Sequence, residues 1–395
     1  MPGKDVKTVS SIDELYEIDA SYTRFDQKYE MFARSCWDES LTYKSLRDIK
    51  KYIGKCVAEN LPGFTLRDYA LMQGSWAVTN ASEFETGNMG LLSWKPLSFE
   101  RNPSSVQLFK MWREKNNDQF LGKFHGSPEE LSLIVKKAAK TYGADLVGIC
   151  ELDHRWVYSH HLVRPNNAHK KIVFRDVDEP EETDEEFIIP SDINRAVVMG
   201  IEMDIDLLRS SPSPLCDAAT GLGYSKMVFL AASLAEFIRG LGYKAIPCAN
   251  DTALSIPLAI SAGLGQIGRS GLLITPEFGP AVRICKVLTN MPLEIDRPID
   301  FGVTEFCEKC KRCAESCPTQ AISFGERTKE RRTISNNPGV LKWPIDPEAC
   351  LEAWKEIGVS CSNCIAVCPF NKVRGYKHLA TEKGDAEEWW GLIET

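Results

Sequence analysis

The amino-acid sequence predicts an α/β fold followed by a smaller cysteine-rich domain, and three observations support this prediction. Segments typical of strands alternate with segments typical of helices between residues 127 and 250, as in α/β proteins. Eight of the 14 cysteines lie between Cys307 and Cys368. After Pro298 the composition shifts towards Cys, Lys and Arg, which places a domain boundary near residue 300.

Local patterns predict the elements of the α/β part. Ser127 and Pro128 begin a helix in which apolar residues recur at helical spacing, and Gly143 ends it. The other predicted elements are strands over residues 144–149, 196–201 and 244–247 and a helix through Leu230, Leu234, Ile238 and Leu241 that ends at Gly242.

These patterns divide the chain into parts. Residues 176–186 hold eight acidic side chains and offer no apolar face, so we expect a solvated surface insertion there and regard an acidic docking site as the alternative. The predicted parts are an N-terminal unit without an assigned fold (1–124), a core (125–160 and 195–300), the acidic insertion (161–194), the cysteine-rich domain (301–371) and a C-terminal tail (372–395).

The overall charge and hydropathy exclude some classes of partner. The chain has 47 basic and 55 acidic residues, a net charge of -8, which gives no general attraction to a phosphate backbone. We therefore expect no nucleic-acid partner. No apolar run approaches the roughly 18 residues that a membrane-spanning helix requires.

The clustered cysteines follow the pattern of bacterial ferredoxins. In the run Cys307-x2-Cys310-x2-Cys313-x3-Cys317-Pro318, three thiolates bind one cubane and the fourth binds a neighbouring cluster. A second run closes in the same way with Cys368-Pro369, which is not typical of zinc sites, the alternative reading. The predicted ligands are Cys307, Cys310, Cys313 and Cys368 for one [4Fe-4S] cluster and Cys317, Cys350, Cys361 and Cys364 for the other.

A glycine-rich segment precedes the cysteines. Gly263, Gly265 and Gly268 have the spacing of a dinucleotide-binding loop, but prolines interrupt the stretch that follows, so we do not expect a Rossmann site. With Gly271, these glycines are expected to let the backbone lie against a large planar ligand. Simple turn glycines are the alternative.

Together with Gly223-Tyr224-Ser225-Lys226 and Ala262-Gly263-Leu264-Gly265, the two ferredoxin motifs make the chain resemble the corrinoid-dependent reductive dehalogenases over roughly residues 127–369. The resemblance implies a nitroreductase-like core that binds a base-off cobamide beside two [4Fe-4S] clusters. The sequence contains no Asp-x-His-x2-Gly motif, which agrees with base-off binding. The implied cofactor-binding residues are Tyr158, Gly263, Leu264, Gly265, Gly268 and Gly271.

The resemblance also implies a catalytic set of Tyr224, Asn250 and Arg283. Replacing a carbon-halogen bond by a carbon-hydrogen bond requires two electrons and one proton, and the clusters and cobalt would supply the electrons. Tyr224 would donate the proton, Arg283 would stabilise the phenolate, and Asn250 would orient the phenol or a halogen.

The expected substrate is a small organohalide that binds in an apolar pocket. The resemblance implies pocket positions for Thr220 and Trp354, and Trp94 and Trp76 are further candidates for the pocket wall. Dispersion and dehydration would hold such a molecule. A chlorinated alkane, alkene and arene all stay open.

The beginning of the chain lacks a twin-arginine leader, which suggests a mature or truncated form. The resemblance implies an exported respiratory enzyme on the outer face of the cytoplasmic membrane, held by a small membrane-anchor protein and fed by a low-potential electron donor. A leaderless cytoplasmic enzyme is the alternative.

Two other functions stay open on the sequence alone. Epoxyqueuosine reductase shares the corrinoid core and the double cluster motif but acts on tRNA, and would be expected to have a basic face that this acidic chain lacks. The chain could also be an electron-transfer or corrinoid-handling protein without a substrate of its own.

Overall fold

The centre of the molecule is a four-stranded antiparallel sheet. In spatial order its strands are β2 (Leu146–Glu151), β7 (Arg195–Glu202), β11 (Val282–Thr289) and β8 (Ala245–Cys248). The computed structural model describes residues 6–41, 54–79, 94, 123–163 and 168–371. The α/β class is confirmed, and the three predicted strands are present with their ends shifted by at most two residues.

The sheet is buried on both faces. On β7, Val197 and Met199 belong to one apolar cluster, whereas Ala196 and Val198 belong to another. Successive side chains of a strand point to opposite faces, so a continuous apolar run is what a strand between two layers requires.

Helices cover one face of the sheet. Two of them are α4 (Pro128–Thr141) and the long α6 (Pro214–Gly240), whose apolar sides meet in one cluster. The hydroxyl of Ser127 accepts a hydrogen bond from the backbone amide of Glu130, which confirms the predicted N-cap. The other face is covered by α7 (Ser255–Ser261).

By length and composition, α6 could cross a membrane. More than half of its most apolar window is buried against the sheet and α4. It is thus a core helix of this fold, and its apolar character needs no bilayer to explain it.

The chain forms a second four-stranded sheet between β2 and β7 of the central sheet. Its strands, in spatial order, are β3 (His160–Val163), β4 (Ala168–Arg175), β6 (Glu186–Pro190) and β5 (Glu181–Glu182). Ile172, Phe187 and Ile189 are buried in the main core. This corrects the prediction for residues 161–194. The acidic side chains are exposed on turns and β5, apart from the half-buried Glu186 on β6, but the flanking strands carry an apolar face that packs on the core.

The cysteine-rich domain is built from short helices. They are α8 (Val303–Lys309), α9 (Arg312–Glu315), α10 (Pro347–Ile357) and α11 (Asn363–Ala366). The N-terminal helix α2 (Met31–Arg34) joins this domain through an ion pair between Arg34 and Glu348.

The remaining elements are short and connect these layers. They are β1 (Lys7–Thr8), α1 (Ile12–Leu15), α3 (Leu66–Ser75), α5 (Ile205–Arg209), β9 (Gln266–Ile267), β10 (Leu273–Ile274), β12 (Ile299–Asp300) and 3-10 turns at Gln27–Tyr29 and His154–Trp156. The predicted C-terminal tail (372–395) lies outside the described residues, as does part of the predicted N-terminal unit.

Candidate active site

The first group of thiols comes from α8, α9 and the end of the cysteine-rich domain. Cys307 and Cys310 lie at α8, Cys313 lies in α9, and Cys368 follows α11. Burial raises the pKa of Cys368, and the thiols of Cys307, Cys313 and Cys310 raise it further. Four thiols therefore converge although some 60 residues separate the last from the others.

The second group converges beside the first. Burial raises the pKa of Cys350, and the neighbouring thiols of Cys361 and Cys317 raise it further. The thiol of Cys364 lies near those three and near Cys313 of the first group. The backbone amide of Ala321 donates a hydrogen bond to Cys317 Sγ over 3.2 Å. Two sets of four thiols, side by side, are the donor set that two [4Fe-4S] clusters need.

Tyr224 lies near the middle of α6, and two glycines of the same helix, Gly221 and Gly223, precede it. A Cβ atom at Gly221 would lie 2.6 Å from the indole of Trp76, and one at Gly223 would lie 2.7 Å from Arg283 Cγ. Glycine inside a helix costs roughly 0.5–1 kcal/mol relative to alanine. The two glycines are explained by the close approach of Trp76 and Arg283 on either side of Tyr224.

Three predicted catalytic residues from three different elements meet at this point. Asn250, after β8, donates a hydrogen bond from Nδ2 to the Tyr224 hydroxyl over 3.2 Å. Arg283, on β11, has its guanidinium carbon 4.6 Å from the centre of the Tyr224 ring. Its Nε is buried and has no hydrogen-bond partner within the described part of the chain. The guanidinium is thus placed to favour a negative charge on the phenol oxygen.

The phenol faces a largely apolar cavity of about 340 Å³, which we call the aromatic cavity. The Trp76 ring stacks on the Tyr224 ring with 5.4 Å between centres. Trp354 on α10 also lines it, and its ring packs against Phe32. A cavity of this size and polarity suits a small apolar molecule.

Two further cavities adjoin the aromatic cavity. One, of about 370 Å³, is lined by Asn250, Arg283 and Cys350 and is called the cluster-side cavity. The other, of about 340 Å³, lies towards the N-terminal segment and is called the N-terminal cavity. Glu30 and Ile256 line all three, so the three cavities share walls. We call the three together the hollow, which extends from Tyr224 to Cys350 of the second thiol group.

The predicted pocket residues have different positions. Trp76 and Trp354 line the aromatic cavity. Thr220 is buried in α6, its hydroxyl has no hydrogen-bond partner among the described residues, and it does not line this cavity. Trp94 lies in the main core with its ring 4.9 Å from Phe187, so the expectation of a pocket position is corrected: its partner is the second sheet, which the sequence did not predict.

The glycine-rich segment is explained mainly by packing within the protein. It follows the helix α7 and leads into β9, whereas a Rossmann loop runs from a strand into a helix. A Cβ at Gly263 would meet a backbone oxygen at 2.5 Å, and one at Gly265 would meet another at 2.1 Å. Leu264 is in the core. These three positions therefore need no ligand to explain them.

The other predicted cofactor-binding residues divide between the hollow and the first thiol group. Tyr158 is buried and lines both the aromatic and the N-terminal cavity. Gly271, with a left-handed φ of 74°, lines the N-terminal cavity. Gly268 lies beside Cys307, since a Cβ there would be 3.8 Å from the Cys307 sulfur.

Two buried charged residues that the sequence pattern did not single out, Lys286 and Asp251, lie near Asn250. Lys286 is fully buried on β11 and donates to the Ala249 carbonyl over 2.9 Å and to the Ser255 hydroxyl over 3.0 Å. The pKa of Asp251 is raised to about 6, because the effect of burial exceeds the opposing effect of the Lys286 charge. The signal was a lysine at a core position of a strand, flanked by apolar residues. The two hydrogen bonds of Lys286 hold the loop between Ala249 and Ser255, which carries Asn250.

Two family models match most of the chain. Residues 49–293 match the model of the reductive dehalogenase subunit, and residues 306–371 match that of a 4Fe-4S double cluster binding domain. Those 66 residues contain both thiol groups, so the prediction of two [4Fe-4S] clusters is confirmed.

Individual relatives agree with the two models. A tetrachloroethene reductive dehalogenase of Sulfurospirillum multivorans is 47% identical over 306 residues, 75% of this chain and 56% of its own length. The chain thus spans little more than half of that relative. An epoxyqueuosine reductase of Lactococcus garvieae is 32% identical over only 37% of this chain and 40% of its own.

A solved reductive dehalogenase, described as suggesting a mechanism for B12-dependent dehalogenation, shares the fold. Its TM-score is 0.61 at 21% identity, with 93% of this chain and 44% of that chain covered.

Proposed function

The chain belongs to the reductive dehalogenase family, and on this premise we propose that it catalyses the reductive dehalogenation of a small organohalide. A chlorinated ethene is the substrate we favour, because its relatives are named for tetrachloroethene. The reaction consumes two electrons and one proton, breaks a carbon-chlorine bond, forms a carbon-hydrogen bond and releases chloride.

The observation that carries this proposal is the meeting of Tyr224, Asn250 and Arg283 in the wall of an apolar hollow. Asn250 donates to the phenol oxygen, so the phenol's own hydrogen stays available for a molecule in the cavity. Tyr224 is therefore the proton donor that the reaction requires.

Arg283 stabilises the phenolate that the proton transfer leaves on Tyr224. As the proton leaves, negative charge develops on the Tyr224 oxygen, and a guanidinium whose carbon lies 4.6 Å from the ring centre stabilises it. Because the Nε atom of Arg283 is buried, this interaction is stronger than it would be in solvent. The Gly223 position keeps Arg283 in this place.

The aromatic walls would bind the substrate without hydrogen bonds. Trp76 and Trp354 offer large apolar surfaces, and dispersion with these rings together with dehydration holds a chlorinated ethene near the phenol.

We further propose that the hollow binds a base-off cobamide. The fit rests on three adjoining cavities that extend from Tyr224 to Cys350, with Tyr158, Ile256 and Gly271 in their walls. When bound, the cobamide supplies low-potential electrons at its cobalt. Cys350 in the wall means that the second thiol group lies next to this space.

The partners and location follow from the family in the same way. We propose a small membrane-anchor protein, a low-potential electron donor and a position on the outer face of the cytoplasmic membrane. The resemblance to exported respiratory enzymes supports this proposal, and a cytoplasmic position is the alternative. Fractionation of native cells with antibody detection would decide between them.

The proposed activity is tested on anaerobically reconstituted protein. Metal analysis is expected to give about eight iron and one cobalt per chain, with the visible spectrum of a base-off corrinoid. With reduced viologen as donor, the protein should release chloride from tetrachloroethene, and protein loaded with clusters but no corrinoid should not. Fully loaded protein that releases no halide from chlorinated ethenes, alkanes or arenes would contradict the proposal. Saturable tRNA binding by such protein would favour epoxyqueuosine reduction.

A further inference from the structure

Arg269 is a buried cation at the end of the glycine-rich segment. Only 2% of the residue is exposed. Its guanidinium carbon lies 4.6 Å from the centre of the Trp343 ring. The guanidinium donates hydrogen bonds to four backbone carbonyls: those of Cys307 (2.9 Å), Glu308 (3.3 Å), Ser323 (2.8 Å) and Gly325 (2.9 Å).

These acceptors carry no net charge, and none of them is a counter-ion for Arg269. Within the described part of the chain, no carboxylate lies within the 4.0 Å ion-pair distance of its guanidinium. The nearby Arg327 differs, because its guanidinium, also over the Trp343 ring, pairs with Glu308 over 3.4 Å. Buried charges in proteins are nearly always paired. A buried guanidinium without a carboxylate therefore indicates an anion that the bare polypeptide does not supply.

The first thiol group supplies that anion once it holds iron. The guanidinium donates a hydrogen bond to the Cys307 carbonyl over 2.9 Å, which places the cation beside a residue that carries a cluster ligand. Gly268 permits this approach, since its Cβ position faces the Cys307 sulfur. A cubane with four thiolate ligands is negatively charged, and it becomes more negative by one charge when it takes up an electron.

We propose that Arg269 is the counter-ion of the [4Fe-4S] cluster bound by Cys307, Cys310, Cys313 and Cys368, and that it raises the reduction potential of this cluster. A fixed positive charge stabilises the reduced cluster more than the oxidised one. Burial limits screening by water and salt. Hydrogen bonds and charge around the sulfurs are general determinants of cluster potential. The proposal depends on the cluster domain and not on the substrate.

The test is a potentiometric titration of both clusters, followed by electron paramagnetic resonance, on anaerobically loaded protein. Arg269→Met removes the charge and is expected to lower the midpoint potential of one cluster while leaving the other near its wild-type value. Arg269→Lys retains a cation and should keep most of the wild-type potential. Arg327→Gln is the matched control: it removes a neighbouring cation that is partly exposed and already paired, so both potentials should stay close to wild type.

Two outcomes would overturn the proposal. One is an unchanged potential in Arg269→Met with full iron content. The other is an equal shift in Arg269→Met and Arg269→Lys, which would show that the loop, and not the charge, matters. If Arg269→Met does not take up iron, the iron content of Arg269→Lys decides the question. A full iron content in Arg269→Lys supports the counter-ion proposal, whereas loss of iron in Arg269→Lys as well would overturn it and leave Arg269 a structural role only. No corrinoid or organohalide is needed, so the result is independent of the proposed dehalogenation.

Discussion

The carboxylate of Asp217 joins Trp76 to the loop of the second thiol group. Its Oδ2 accepts a hydrogen bond from the Trp76 indole over 3.1 Å, and its Oδ1 accepts one from the backbone amide of Ser360 over 3.2 Å. Ser360 immediately precedes Cys361. One carboxylate on α6 therefore fixes both an aromatic wall of the cavity and the start of a cluster-binding loop.

Asp217→Ala should weaken substrate binding. A hydrogen bond to a charged group contributes about 1.5–3 kcal/mol, so loss of the bond to Trp76 is expected to raise KM by about tenfold or more, with a smaller effect on kcat. Steady-state chloride release measures both. Trp76→Phe is the matched control, because it keeps a stacked ring but cannot donate to Asp217. A normal KM in both variants would mean that this bond does not position the wall.

Tyr224→Phe should abolish halide release while iron and corrinoid contents stay normal, because the ring remains and only the hydroxyl is lost. General acid catalysis of this kind is typically worth about 10²–10⁴ in rate. Chloride release in the viologen assay is the measurement. Unchanged turnover would exclude Tyr224 as the proton donor.

Gly223→Ala should displace Arg283 and lower kcat by about 10–100-fold, since misplacing a catalytic group by about 1 Å can cost this much. The added Cβ would lie 2.7 Å from Arg283 Cγ. Gly240→Ala is the control at the end of the same helix, where no atom lies within 4 Å of the added Cβ. Equal activity of the two variants would contradict the role given to Gly223.

Cys350→Ser should remove one cluster and leave the other, so the iron content falls from about eight to about four per chain. Iron analysis and the loss of one cluster signal in electron paramagnetic resonance measure this change. Cys36→Ser, which alters an exposed cysteine outside both thiol groups, should keep all the iron. Full iron in Cys350→Ser would remove Cys350 from the ligand set.

The stability of the protein should depend on pH through Lys342. Burial lowers the pKa of Lys342 to about 8 from 10.5, so the folded state disfavours its ammonium form. Below pH 8 the lysine carries its proton in both the folded and the unfolded protein, and its buried charge lowers the free energy of unfolding by the full amount. Between pH 8 and 10.5 the unfolded chain binds more protons, so stability rises with pH.

Lys342→Met should therefore raise the Tm at pH 7. The gain in unfolding free energy is about 2 kcal/mol after allowance for the lost hydrogen bond to the Asn337 carbonyl, and it should shrink as the pH rises from 8 to 10. Thermal denaturation across this range measures it. Lys329→Met, which changes a more exposed lysine paired with Glu17, should have little effect at any pH. A gain that does not vary with pH would show that the charge is not its cause.

The sequence by itself determined features whose information lies close together along the chain. The spacing of Cys307, Cys310 and Cys313 indicated a cubane because three ligands on one turn need no distant contact to be recognised. Ser127 and Gly143 marked the ends of a helix for the same reason, since caps are formed by neighbouring residues. The roles of Tyr224, Asn250 and Arg283 came from a family resemblance, not from local pattern.

The tertiary structure alone decided which distant residues meet. It placed Tyr224 between Trp76 and Arg283, from three separate elements, and thereby explained two helix glycines that no local rule requires. It assigned Trp94 to the core and showed that packing explains Gly263. The physical reason is that a Cβ clash, a ring stack or a buried charge depends on which chain segments fold against each other, and that depends on burial of apolar surface over the whole molecule rather than on the order of neighbouring residues.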